Sequence, residues 1–316
     1  MGKIQDALKR IQGNAEIETS ELANAGARTS YRKSSQSTLH KGEPRPLSAV
    51  LEASDSAPVD ISRLYAAGLL LDLNKERGLA IQIRDIKRPL IAHAFGKRAT
   101  RIPGGNIMMV TSALAGEGKT FTSVNLAFSM AQEQDHSVLL IDADVAKPHM
   151  TSIFGLESAR GLLDVLEDTS LPLGQVVVPT TTPGLSILPA GKPRPNANEL
   201  IAGSRMESLI SSLSDAKDGT IVLLDSPPLL QTSESKVLAF SAGQIVVVVR
   251  ADHTPRDAVL AAVDLLDETK AINLVLNRAG ADAVRPAYGN YSYSGIDEYS
   301  DQPMNAPSHE VADKSS

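Results

Sequence analysis

The chain has 316 residues, 42% of them hydrophobic and 22% charged, which is enough apolar material for one large or two modest cores. Its 31 Lys and Arg against 37 Asp and Glu leave a formal charge of −6, which argues against broad electrostatic capture of nucleic acid or anionic lipid while leaving a local basic patch open, and no nucleic-acid partner is expected. Cysteine is absent, and with it go disulfide frameworks, thiolate zinc sites, iron–sulfur clusters and cysteine nucleophiles.

The chain opens with Ile4, Leu8 and Ile11 at helical spacing beside Lys9 and Arg10. Two readings stand: a short amphipathic helix that docks on a partner, or a solvated helix that frays. From 13 to about 60 the sequence is rich in Ser, Thr, Glu, Lys and Pro without a sustained apolar period, so residues 1–60 are expected to be a short helix and a flexible arm. The start lacks a signal-peptide core, and Asp6 occupies the place where a myristoylation signal wants Ser or Thr. Apolar runs such as Ile245 to Val249 are far below the ~18 residues that cross a bilayer, so membrane attachment is expected to come through a partner.

Residues 61–280 are expected to form a single domain. Short branched apolar runs predict strands at 106–111, 137–141, 185–188, 220–224, 244–249 and 272–276, with helices near 119–133, 196–213, 232–241 and 255–268. In the first helix Phe121, Val124, Phe128 and Ala131 make the buried stripe. Continuous apolar strands alternating with helices predict an α/β fold with a doubly wound, mostly parallel sheet, its ligand at the carboxyl ends of the strands.

The first strand runs into Ala115-Gly116-Glu117-Gly118-Lys119-Thr120 and then a helix. This reads as a phosphate cradle formed by Gly116, Glu117, Gly118, Lys119, Thr120 and Phe121. Glycines let backbone N–H groups close on a phosphate, Lys119 reaches the β/γ oxygens, and Thr120 offers a hydroxyl to Mg²⁺. The strict pattern is not met, because its first glycine falls at Ala113. The bland alternative is a glycine turn that binds nothing.

The next strand ends in Asp142-Ala143-Asp144, two carboxylates expected to face the same cleft. One can hold Mg²⁺ through water while the other accepts a proton, although either alone could be an N-cap or loop aspartate. A third strand ends in Asp225-Ser226-Pro227-Pro228, where Asp225 follows an apolar run in the Walker B manner and the prolines are expected to stop the ladder. Beyond 280 the chain holds six acidic residues against two basic ones, a disordered acidic tail by composition. Four of the six tyrosines, Tyr288, Tyr291, Tyr293 and Tyr299, crowd into it. Tyrosine belongs in cores and interfaces, so this placement suggests hydroxyls offered to an enzyme, against the alternative of an aromatic cluster that covers the domain.

These motifs resemble the bacterial tyrosine autokinases that accompany capsule and exopolysaccharide assembly. The resemblance covers about 60 to 300 and rests on the glycine turn with Lys119 and Thr120, on Asp142-Ala143-Asp144 with Pro148, on Asp225-Ser226-Pro227-Pro228 and on the tyrosine cluster. Gly161-Leu162-Leu163-Asp164, Leu188-Pro189-Ala190-Gly191 and Pro195-Asn196 support it. Lys87-Arg88-Pro89-Leu90 and the stand-alone chain look most like the branch found with exosortase-linked loci.

The resemblance implies a P-loop NTPase fold of the MinD/ParA kind and a kinase using ATP and Mg²⁺ that phosphorylates its own tail tyrosines from one subunit to the next. Lys119, Asp142 and Asp144 would be catalytic, Thr120, Asp142 and Asp225 would serve the metal, and Asn277 would read the adenine. It further implies a separate membrane protein of the chain-length-regulator type as activator, self-association, a counteracting tyrosine phosphatase, and a cytoplasmic place at the inner face of the plasma membrane. Two departures stand out. Similar kinases often carry Arg where Ala146 stands, and many show E-x-x-R-x-x-[RK] on a ring-building helix where Arg84 and Lys87 fit but Ile81 replaces the glutamate. The runners-up are a MinD/ParA-type positioning ATPase, which wants lysine where Leu114 stands, and an inactive nucleotide-binding regulatory subunit.

Overall fold

A computed structural model of the chain describes residues 57–72, 76–97, 99–215 and 219–279. The amphipathic start, most of the arm, and Tyr31, Tyr288, Tyr291, Tyr293 and Tyr299 lie outside the described residues. Seven strands form one sheet: β1 (Ile107–Ser112), β2 (Val138–Asp142), β3 (Val178–Pro179), β4 (Leu185–Leu188), β5 (Ile221–Asp225), β6 (Gln244–Arg250) and β7 (Ala271–Asn277), in the order β3-β4-β2-β5-β1-β6-β7. Every pairing is parallel except β3 with β4. Six of the strands were predicted, each to within one residue at either end. The seventh, β3, has two residues, one a proline, and carries no periodicity to read. Beside it Val59, in the stretch read as arm, bridges Thr180.

Successive side chains of a strand point to opposite faces, and here both faces are covered. Met108 and Val110 of β1, Leu140 of β2, Leu223 of β5 and Val246 of β6 pack on one side with Ile83 and Leu90 of α2 (Arg77–Phe95) and Val124 and Phe128 of α3 (Lys119–Ala131). Their neighbours Ile107, Met109, Ile141, Leu224 and Ile245 pack on the other side, beneath four helices whose sequences carry the matching apolar positions. Those helices are α5 (Leu162–Glu167), α7 (Ser204–Ser214), α8 (Glu234–Ser241) and α9 (Arg256–Val263). Burying each Leu- or Ile-sized side chain is worth roughly 1.5–3 kcal/mol, so the doubly covered centre fixes the register and the edges follow. Short helices α1 (Ser62–Ala66), α4 (His149–Ile153) and α6 (Ala197–Ile201) complete the set among the described residues.

Five details differ from expectation. In α3 burial is not a stripe: Val124, Phe128 and Ala131 are buried, Phe121 is only half-buried, and the polar Thr122, Ser123, Asn125 and Ser129 are buried too. The helix lies between the sheet and the α1–α2 segment, which supplies polar partners. The Asn125 amide donates to the Leu69 carbonyl at 3.0 Å and accepts from the Leu71 N–H at 2.9 Å.

The 19-residue α2 was not among the helices predicted from periodicity. Its Lys87 is buried, donating to the Ser129 carbonyl at 2.7 Å and pairing with Glu133 at 2.6 Å, while Arg84 and Ile81 are exposed. The single helix predicted at 196–213 is two, α6 and α7, divided at Gly203, and the one predicted at 255–268 stops at Val263. Finally, β5 does end at Asp225, but the chain does not leave β1. Ser226 N–H donates to the Val110 carbonyl at 3.1 Å and Leu229 N–H to the Ser112 carbonyl at 2.8 Å, spanning the two residues that have no N–H. Among the described residues no helix is long and apolar enough to cross a membrane.

Candidate functional site

The central parallel strands end at one edge of the sheet, where the topology brings together the cradle after β1 and the aspartates that close β2 and β5. The cradle turns through two glycines in left-handed conformation, Gly116 at φ +78° and Gly118 at φ +101°. Gly118 has a second reason to lack a side chain, since a Cβ there would stand 2.0 Å from the Asn277 amide nitrogen. Gly118 is also the N-cap of α3 and brings no side chain to cap it, so the first-turn N–H groups stay open to an anion.

Glu117 and Asn277, both expected to touch the cofactor, are turned to the loop itself. The Glu117 side chain is fully buried. One carboxylate oxygen accepts from the Leu114 N–H at 2.8 Å and the other from the Thr254 hydroxyl. The Asn277 amide donates to the Glu117 carbonyl at 2.9 Å. With its carboxylate engaged in these contacts, Glu117 would serve a phosphate through its backbone and not its side chain.

Lys119 and Thr120 open α3 on the face that meets β5. Thr120 donates its hydroxyl to one oxygen of Asp225 at 2.7 Å, and Ser123 donates to the other at 3.0 Å. With its proton committed to Asp225, the Thr120 oxygen keeps lone pairs for a cation. Asp225 is 2% exposed. Burial pushes its carboxyl up to about 6, against the pull of Thr120, the Lys119 ammonium and Ser123.

Asp142 lies opposite Asp225 in the β2–β5 register and has no solvent exposure. One of its oxygens accepts two hydrogen bonds from Thr151 of α4, from the N–H at 2.8 Å and the hydroxyl at 2.7 Å. The other, Oδ1, is buried without a partner. Burial first and the Asp225 charge second push the Asp142 carboxyl up to about 7, with Thr151 opposing. Asp144 is half-buried and accepts from the Lys147 N–H at 3.2 Å; burial raises its carboxyl and the nearby Lys119 ammonium pulls it back. Lys119 is itself 9% exposed, so the cleft is deeper than the sequence implied.

These groups fit Mg²⁺ in chemistry, being hard oxygen donors with one buried carboxylate oxygen left over. Among the described residues no three His, Cys, Asp or Glu side chains form a metal cage, so an ion here would draw further ligands from nucleotide phosphates and water. Thr120, Asp142 and Asp225 are the residues that would hold it.

The structure thus gathers Gly116, Gly118, Lys119, Thr120, Asp142, Asp144 and Asp225 at the carboxyl ends of β1, β2 and β5, with Phe121 half-buried in the first turn of α3. Sequence reasoning missed Ser123, Thr151 and Thr254. Ser123 could have been found, since it follows Thr120 by three residues and shares its helix face. Thr151 and Thr254 reach the site only through tertiary contact and carry no local signal.

Residues 105–278, more than half of the chain, match an AAA domain family. The tyrosine-protein kinase YwqD of Bacillus subtilis is 34% identical over 172 residues, 54% of this chain and 71% of that protein. The tyrosine-protein kinase CpsD of Streptococcus agalactiae is 30% identical over 189 residues, 58% of this chain and 81% of that one. The crystal structure of the VpsO kinase domain aligns with a TM-score of 0.52 at 30% identity, over 64% of this chain and 99% of that domain. Other relatives are longer: against EpsB of Ralstonia solanacearum the match takes up 25% of the partner's length. The P-loop turn on a mostly parallel sheet, the aspartates closing β2 and β5, and identities of 30% or more across most of two tyrosine-protein kinases place this chain in the bacterial tyrosine-protein kinase family.

Proposed function

We propose that this chain is an ATP- and Mg²⁺-dependent protein-tyrosine kinase that phosphorylates its own Tyr288, Tyr291, Tyr293 and Tyr299, one subunit acting on the next, and so regulates exopolysaccharide synthesis and export. The observation that carries the reading is the free, buried Oδ1 of Asp142. A tyrosine hydroxyl has a pKa of about 10 and must give up its proton during transfer. With Oδ1 of Asp142 turned to the cation, the half-buried Asp144, the other carboxylate of the pair, is the group that takes it. Bound Mg²⁺ would neutralise charge on the β/γ phosphate oxygens. Lys119 shares that task, the open N–H groups of the cradle orient the phosphates, and Asp225 keeps the Thr120 hydroxyl aligned.

Recruitment belongs to the same proposal. The cytoplasmic tail of a separate membrane protein of the chain-length-regulator type brings the chain to the inner face of the plasma membrane and raises the local concentration for transfer between subunits. A tyrosine phosphatase resets the tail, and the branch is the exosortase-linked one. The test is phosphotyrosine formation from ATP at several protein concentrations, with and without the partner's tail. The expected result is a rate per molecule that rises with concentration and with the tail, and that falls at least tenfold when the four tyrosines become Phe while ATP binding persists. ATP hydrolysis without phosphotyrosine would favour a positioning ATPase. Label concentrated on Tyr31 or Tyr65 would remove the tail from the account.

A further inference from the structure

The two oxygens of Asp142 are not equivalent, and what distinguishes them is a residue nine positions further on. Thr151 is 2% exposed and delivers both its N–H and its hydroxyl to Oδ2, at 2.8 and 2.7 Å. A carboxylate oxygen holding two such donors is saturated on the side they approach, so the negative charge available for anything else resides on Oδ1, which is buried and without a partner. The Thr151 hydroxyl is fixed in turn, because its oxygen accepts the Ala190 N–H at 2.9 Å and its proton is left with Asp142 as acceptor.

Ala190 belongs to the turn that leaves β4, and that turn is held in place. Leu163 N–H donates to the Ala190 carbonyl at 3.0 Å, and Asp164 accepts the Gly161 N–H at 2.8 Å and a 2.8 Å bond from Arg194. The approach is close enough that a Cβ on Gly161 would lie 2.0 Å from the Pro189 carbonyl oxygen. The chain of contacts therefore runs from a rigid turn through one hydroxyl to the carboxylate that closes β2.

We infer that Thr151 is the positioning residue that selects Oδ1 of Asp142 as the working oxygen toward the nucleotide-bound divalent cation. The inference rests on the nucleotide and Mg²⁺ reading of the site proposed above, but not on the identity of the phosphate acceptor. A mainly structural role would be served by any residue that fills the space. A positioning role needs the hydroxyl.

Thr151→Val keeps the shape and the N–H and deletes the hydroxyl, Thr151→Ser keeps the hydroxyl, and Thr151→Ala is the fallback should valine disturb the packing. The readout is Mn²⁺ affinity of the full chain saturated with ADP, followed by electron paramagnetic resonance, beside thermal melting and binding of ADP without metal. Loss of an outer partner of a metal-site ligand costs about 10–100-fold in metal affinity. The expected result is a loss of about tenfold or more in Mn²⁺ affinity for Thr151→Val, less than about twofold for Thr151→Ser, and ADP binding without metal within about twofold of the parent in both. Equal Mn²⁺ affinity in Thr151→Val and the parent would overturn the inference, as would unfolding of both the Val and Ala variants, or failure of Ser to restore affinity. Because metal affinity is read without turnover, a chain that binds Mn²⁺ with ADP yet makes no phosphotyrosine refutes the kinase reading and leaves this one standing.

Discussion

The carboxyl ends of β2 and β5 present the same residue at opposed positions of the register, and the two aspartates are treated differently. Asp225 has a donor on each oxygen, Thr120 and Ser123, both from α3. Asp142 has two donors on one oxygen and none on the other. A buried carboxylate with both oxygens paired is a fixed part of the scaffold that aligns its partners. One with a bare oxygen carries a desolvation cost that only a cation or a proton relieves. The difference separates a group that organises Thr120 from a group poised to act.

The comparison breaks most visibly in turnover. Asp142→Ala removes the bare oxygen and Lys119→Met removes the ammonium that faces Asp144 and Asp225; each is expected to lower phosphate transfer by about 10²–10³-fold or more, with the fold kept. Circular dichroism beside a phosphotyrosine assay checks both. Activity within tenfold of the parent in either variant would remove that residue from the chemistry.

Asp225→Ala strikes the paired member and should register in stability. It takes the carboxylate from the half-buried Thr120 hydroxyl and leaves Ser123 with the Lys119 carbonyl at 3.0 Å, at an expected cost of about 1–3 kcal/mol in denaturant unfolding. Asp142→Asn should act in the other direction. Its parent carboxyl is raised from the ordinary carboxylate range to about 7, so the folded state holds a proton that the unfolded state releases between about pH 4 and 7. The favourable contribution is complete below pH 4 and is lost as pH rises through 7. Relative to the asparagine variant, the parent without ligand should lose about 1–3 kcal/mol between pH 4.5 and 8, measured by thermal melting. Parallel stability curves for the two would mean that the carboxyl ionises freely.

The smallest expected effect sharpens the contrast. Ser123→Ala leaves Asp225 with one donor, at a cost of about 1 kcal/mol, and should raise the pH at which Asp225 ionises toward that of Asp142. Carboxyl-labelled NMR titration would follow it, and an unmoved Asp225 would show that Thr120 alone sets its state.

What the sequence determined by itself was whatever is encoded within one element. Doubly buried strands need continuous apolar runs, so β1, β2, β4, β5, β6 and β7 were legible to within a residue, as was the alternation that makes the sheet parallel. The cradle was legible because left-handed turns at Gly116 and Gly118 and a lysine at the start of a helix are local requirements. Contact between elements decided the rest. The α2 helix escaped because it buries a lysine where a periodic reading wants an apolar residue, and Lys87 is tolerated there only because Ser129 and Glu133 of the neighbouring segment meet its charge. The roles of Glu117 and Asn277 as ties within the cradle, and of Thr151 as partner to Asp142, depend on groups 3 to 160 residues apart that fold into hydrogen-bond distance. Motif spacing shows that an aspartate ends a strand, but which of its oxygens remains free is fixed by donors that other strands and helices bring to it.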